Sequence, residues 1–297
     1  MLFRRKEREM IHITIAGIGK FGMEVCQHFH TRFMECHEKI DKGLLKVVTN
    51  RNELSVICNI ELADLVGEYS DRLIPWNDLE IEREERTRDV LITVGEPQDL
   101  SFKMFHSTAI GLLGKPECKR IAFIKNNEGE IENGLLSQQL DHVITCDGIQ
   151  SAVGMILLLL RLCYIQDFDM CTLDRDEFRY LFGGCTGKII MSYKERLALM
   201  RTYTECDGFT YAEDICKMVE GITKNMRESI DITKKYIAFI YTEGLWSLDL
   251  LGTIMERFRS SIGRIQVVDE KLAFSKTIEY DGRIRNSCMI LLMETDN

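Results

Sequence analysis

Ile11-His-Ile-Thr-Ile-Ala16, followed at once by Gly17-Ile-Gly19-Lys-Phe-Gly22, is the stretch on which the fold turns. Isoleucine at alternate positions reads as a strand. After the glycines, an apolar pattern of helical period continues to about Phe33. Strand, glycine turn and helix in that order let backbone N–H groups approach a phosphate, with the helix N-terminus adding partial positive charge. The same glycines equally serve a tight turn with close helix–strand packing, and the motif alone leaves both readings open. A dinucleotide site also asks for an acid at the end of the second strand, to hold ribose hydroxyls. The strand expected there, Leu45–Thr49, runs instead into Asn50-Arg-Asn52, with Glu53 beyond.

Working outward, Asn77–Asp89 is densely charged and reads as a solvated helix. Strand Val90-Leu-Ile-Thr-Val94, helix Ser101–Leu113, strand Arg120–Ile124, a short helix near Leu135 and strand His142–Cys146 follow. Strands alternating with helices predict parallel pairing in an α/β sheet. Gly148–Ile165 is apolar on nearly every side, so a helix there is buried. After Gly183-Gly184 come strand Lys188–Ser192, helix Tyr211–Thr223, strand Tyr236–Tyr241 and helix Ser247–Ile262. Two closing strands, Arg264–Val268 and Ile284–Met293, are expected to pair as a long-looped antiparallel hairpin. The chain thus divides into a Rossmann-like domain over 10–147, a central helix and acidic loop over 148–182, and a mixed α+β domain over 183–297.

Composition bounds the function. The 297 residues are 45% hydrophobic, enough for two cores and incompatible with disorder. Against 47 acidic residues stand 38 basic ones, and the net charge of −9 argues against general affinity for nucleic acid or anionic membrane. Only Pro75, Pro97 and Pro116 occur, so no proline-rich linker separates the domains. Eleven cysteines include no C-x-x-C pair, and the charged segment Met1–Met10 does not resemble a secretory leader. The expectation is a reduced, cytoplasmic protein that uses cysteine as a small core residue. The longest apolar run, Ala152–Leu160, is too short to span a bilayer. Cys26 and His30 share a helical face near Cys36 and His37, but no four-ligand spacing appears and no metal is expected. Neither a G-x-S-x-G elbow nor a Walker loop is present; Gly184-Cys-Thr-Gly-Lys188 leads into a strand, where a phosphate loop needs a helix.

The order of these pieces carries more than any one motif. A glycine-turn α/β half, a long apolar helix starting Gly148-Ile-Gln150, an acidic loop and a mixed α+β half resemble the FtsZ/tubulin superfamily. The resemblance covers about Met10 to Glu294 and is best in Gly17–Val25, Leu45–Leu54, Asp89–Gly95, Gly148–Phe182 and Tyr236–Met293. Thr172-x-Asp174-x-x-Glu177, running into Phe178–Phe182, is similar to the N-x-D-x-x-D loop that completes the GTPase site of the next subunit. By that resemblance, Asp174 and Glu177 act in trans on GTP with Mg2+, while Gly17, Gly19, Lys20, Gly22, Asn50 and Gly95 line the nucleotide. It also implies a cytoskeletal or cell-division-type protein that assembles longitudinally with itself or joins an FtsZ-type filament.

The departures from that pattern are as specific as the matches. The superfamily's GGGTGTG loop is replaced by Gly95-Glu-Pro-Gln-Asp-Leu100. Glu96 and Asp99 would set negative charge beside a triphosphate, and Pro97 has no N–H to donate. Met23 and Glu24 stand where the family places Asn after the glycine turn. The excursion before the second phosphate loop is short, and one helix that the family places before the connecting helix is missing. An eroded GTP site is the expectation, with an active GTPase on an unconventional loop and a Rossmann-type dinucleotide enzyme as alternatives.

Overall fold

The computed structural model describes residues 10–36, 57–64, 74–75, 90–98, 119–125, 140–160, 170–171, 182, 185, 187–199, 209–244, 248–276 and 283–295. Two compact units divide the chain, Met1–Gln166 and Asp167–Asn297.

In the first unit, β1 (Met10–Gly17), β2 (Ile57–Asp64), β3 (Ile74–Pro75), β4 (Val90–Gly95), β5 (Lys119–Lys125) and β6 (His142–Cys146) form one sheet. Its order is β3-β2-β1-β4-β5-β6, and every pairing is parallel. Parallel sheets are covered on both faces, so their strands carry continuous apolar runs. Val90–Gly95 is buried at every position. Helix α1 spans Gly19–Cys36, and α2 spans Ile149–Leu160. β6 runs into α2 through Asp147 and Gly148 alone. Ala152 through Leu160 is buried at every residue, as an all-apolar helix requires, and α2 packs on α1.

The second unit holds β7 (Met170–Cys171), β8 (Ile189–Leu199), α3 (Phe209–Met226), β9 (Lys235–Gly244), α4 (Leu248–Ile262), β10 (Gln266–Lys276) and β11 (Arg283–Thr295). The sheet order is β7-β10-β9-β11-β8. The closing strands therefore do not form the hairpin expected from sequence, because β9 lies between them, parallel to β10 and antiparallel to β11. The physical reason is the crossover: β9, α4 and β10 make one βαβ unit, which sets β10 beside β9 and leaves β9's other edge for β11. Helices α3 and α4 pack together on one sheet face, where Ile222 and Phe258 meet Ile240 and Ile290. On the alternate positions Phe239, Tyr241, Met289 and Leu291 are also fully buried, so β9 and β11 are apolar on both faces.

Candidate functional site

The strand order reverses between β1 and β4, and in open parallel sheets ligands bind beyond the carboxyl ends of the strands at such a point. Here that end is built from the glycine turn. β1 finishes at Gly17, Ile18 bridges, and α1 begins at Gly19, whose φ of 70° lies in the left-handed region that favours glycine. The Ile18 N–H donates to the Val94 carbonyl at the end of β4 over 2.8 Å. A Cβ on Gly17 would stand 2.7 Å from the carbonyl carbon and oxygen of Gly22. A Cβ on Gly22 would collide with the Val94 carbonyl oxygen and lie 2.9 Å from the Gly17 carbonyl carbon. Strand end, helix start and neighbouring strand thus meet backbone to backbone. Close packing accounts for Gly17 and Gly22, and the positive φ accounts for Gly19. Lys20 is exposed, 4.0 Å from Glu24 one turn on, a pair of little energetic weight in solvent.

The segment after β4 forms the opposite wall. Gly95 is buried, and Glu96 and Pro97 are partly buried. Glu96 does not present the bare charge that its sequence suggests: its Oε1 lies 3.4 Å from Lys125 Nζ at the end of β5. That Nζ stands 5.6 Å from the centre of the Phe21 ring, in the first turn of α1, within cation–π range. Sequence reading missed Lys125. The only available signal was a lysine closing an apolar strand.

Asn50, Asp99, Asp174 and Glu177 lie outside the described residues; of the acidic-loop motif only Phe182 is described, and it is buried. The strand expected over Leu45–Thr49 also lies outside the described residues; β2 runs beside β1, and its register sets Asp64 opposite Gly17. The neighbouring strand therefore ends on an acid, the residue type that a dinucleotide site asks for and that Asn50 and Asn52 do not supply. On α1 the Cys26 thiol is buried, 4.0 Å from the Ile15 carbonyl oxygen, whereas His30 is exposed, so these two do not converge on one ligand. Among the described residues, no group of His, Cys, Asp and Glu side chains could hold a metal ion.

No known protein-family model matches the sequence, and no curated protein sequence matches it. Solved structures do. A W319Y mutant of FtsZ from M. jannaschii aligns over 96% of this chain and 91% of its own, with 11% identity and a TM-score of 0.51. The fold is FtsZ/tubulin-like. The GDP-form protofilaments of TubZ from Bacillus thuringiensis serovar israelensis align over 96% of this chain and 87% of theirs, at 12% identity and a TM-score of 0.52. An empty FtsZ dimer from M. jannaschii covers 97% of this chain and 89% of its own, at 10% identity and a TM-score of 0.53. The α/β half carrying the glycine turn and the mixed α+β half are both parts of the FtsZ/tubulin-like fold. Among the described residues no helix is long and apolar enough to cross a membrane.

Proposed function

We propose that this chain is an FtsZ/tubulin-like cytoskeletal protein that assembles end to end with copies of itself or onto a related filament, and whose GTP site is eroded. The observation that carries the second half is the wall after β4. Glu96 and Pro97 follow Gly95 directly at the switch point, where a triphosphate needs N–H donors and no acid. Pro97 has no N–H, and the Glu96 charge is committed to Lys125. The first half rests on likeness over nearly the whole chain to structures that include a TubZ protofilament and an FtsZ dimer. In this reading the Asp174–Glu177 loop of one copy faces the glycine turn of the next. Sedimentation and negative-stain microscopy, with and without GTP and Mg2+, test it. Polymers that form without nucleotide are expected; failure to assemble alone or with a filament partner in every condition overturns it. Chromatography of ligand released from the purified protein checks the erosion separately, and guanine nucleotide at near-stoichiometric amounts overturns that part.

One observation favours a second reading. Gly17-x-Gly19-x-x-Gly22, the strand order and Asp64 at the end of β2 together fit a ribose-bearing dinucleotide. Fold alone does not decide between the two. The dinucleotide reading requires NAD or NADP to raise the unfolding temperature, and no shift at millimolar ligand removes it.

A further inference from the structure

Three side chains from separate elements meet at the carboxyl end of the first sheet: Glu96 after β4, Lys125 closing β5, and Phe21 in the first turn of α1. Glu96 Oε1 lies 3.4 Å from Lys125 Nζ, which in turn lies 5.6 Å from the Phe21 ring centre. The ammonium is held from two sides, by a carboxylate and by the electron-rich face of a ring. Phe21 directly precedes Gly22, where an added Cβ would collide with the Val94 carbonyl oxygen, so the ring and the lysine over it stand beside the glycine turn. Both charged side chains are only partly buried, and the contact is therefore open to exchange with a dissolved anion.

Resting on the reading of this end as a former nucleotide site, we propose that Glu96 is a tethered anion competing with phosphate-bearing ligands for Lys125. Lys125 is the cation that a polyphosphate at the Gly17–Gly22 turn engages once Glu96 is neutral. The competition follows from two terms. A carboxylate held on the same chain presents itself to its partner at an effective concentration on the order of millimolar, above that of a dilute free anion. When displaced it remains beside the ligand as a like charge, within the roughly 10 Å over which charges interact at 0.1 M salt. Replacing the carboxylate by an amide of the same shape removes both terms. If the Glu96–Lys125 contact served only to tie the segment after β4 to β5, the amide would alter stability and leave anion binding unmoved.

Inorganic tripolyphosphate is the probe, titrated calorimetrically into the full chain at low salt. Glu96→Gln is expected to bind it at least about tenfold more tightly than the parent chain. Adding Lys125→Met to Glu96→Gln should abolish that gain, and raising salt from about 0.05 to about 0.5 M should shrink it. Glu96→Asp retains the charge and should behave as the parent; Glu96→Ala repeats the neutralisation should the glutamine variant not fold. Equal binding by parent and neutral variants, or a gain that survives loss of the lysine, overturns the proposal. Sedimentation of the same proteins without nucleotide reports on assembly alone, so failure of the filament reading is distinguishable from failure of this one.

Discussion

Gly17 and Gly22 set the tolerance of the whole glycine turn. Gly22→Ala drives a methyl into the Val94 carbonyl, which is backbone and cannot rotate away. Gly17→Ala does the same against Gly22. Each is expected to destabilise the fold by about 3 kcal/mol or more, at the upper end of overpacking costs. Gly252→Ala, at an exposed position in α4 with open space around the new methyl, should instead be neutral or stabilise by about 0.5–1 kcal/mol. Urea denaturation of the three variants checks this, and comparable stabilities would show that the turn relaxes freely. Cys146 offers a second test. Its thiol lies 3.3 Å from the Ile124 carbonyl oxygen. Burial, aided by the charge of Asp147 and opposed by Lys125, pushes it from 9.0 up to about 12. Between those values the unfolded chain loses the proton and the folded chain keeps it. Its contribution to stability is therefore complete below about pH 9 and is lost as pH rises towards about 12. Above pH 9 the parent chain should lose stability more steeply than Cys146→Ala, by up to about 1.4 kcal/mol per pH unit. Parallel pH profiles would contradict this.

At the scale of elements, the sequence was legible where burial is continuous. Val90–Gly95, Ala152–Leu160 and Tyr236–Tyr241 are apolar runs that no solvent-facing element tolerates, and each is buried in the structure, save the half-buried Ile237. No strand was expected over Ile57–Asp64, although Cys58, Ile60 and Leu62 alternate with Asn59 and Glu61, because nearby Leu45–Thr49 is richer in strand formers. Pairing was not legible either: alternation tells which face a strand buries, never which strand lies beside it. The site divides along the same line. Its glycine turn is local and shows in the sequence, whereas Glu96 and Lys125 are brought together across 29 positions by two strands of one sheet. For α2 the buried run makes a direct prediction. Ile156→Ala, at a fully buried position, should cost about 2–5 kcal/mol in urea unfolding. A loss below about 1 kcal/mol would mean that the helix is not packed as described.

For the molecule as a whole, the prediction concerns assembly. If the loop holding Asp174 and Glu177 is an interface, Asp174→Ala with Glu177→Ala should change the critical concentration for sedimentable polymer. The melting temperature of the unassembled chain should stay within about 2 °C of the parent, as expected for surface changes. An unchanged critical concentration would exclude the loop from the interface. Any GTPase completed in trans would also rise more than linearly with protein concentration, whereas a site complete within one copy would not.

The position of β9 and β11 in the second sheet also governs how the chain is made. β11 is inserted between β9 and β8, so the first long strand of that sheet to be synthesised waits for the last. About 80 residues lie between them, which at about 5–20 residues per second is on the order of 4–17 s on the ribosome. Throughout that interval β8, Ile189–Leu199, exposes a strand edge with no β11 to pair with it. The charged run Lys194-Glu-Arg196 in the middle of β8 is the feature that guards such an edge against pairing with the wrong chain.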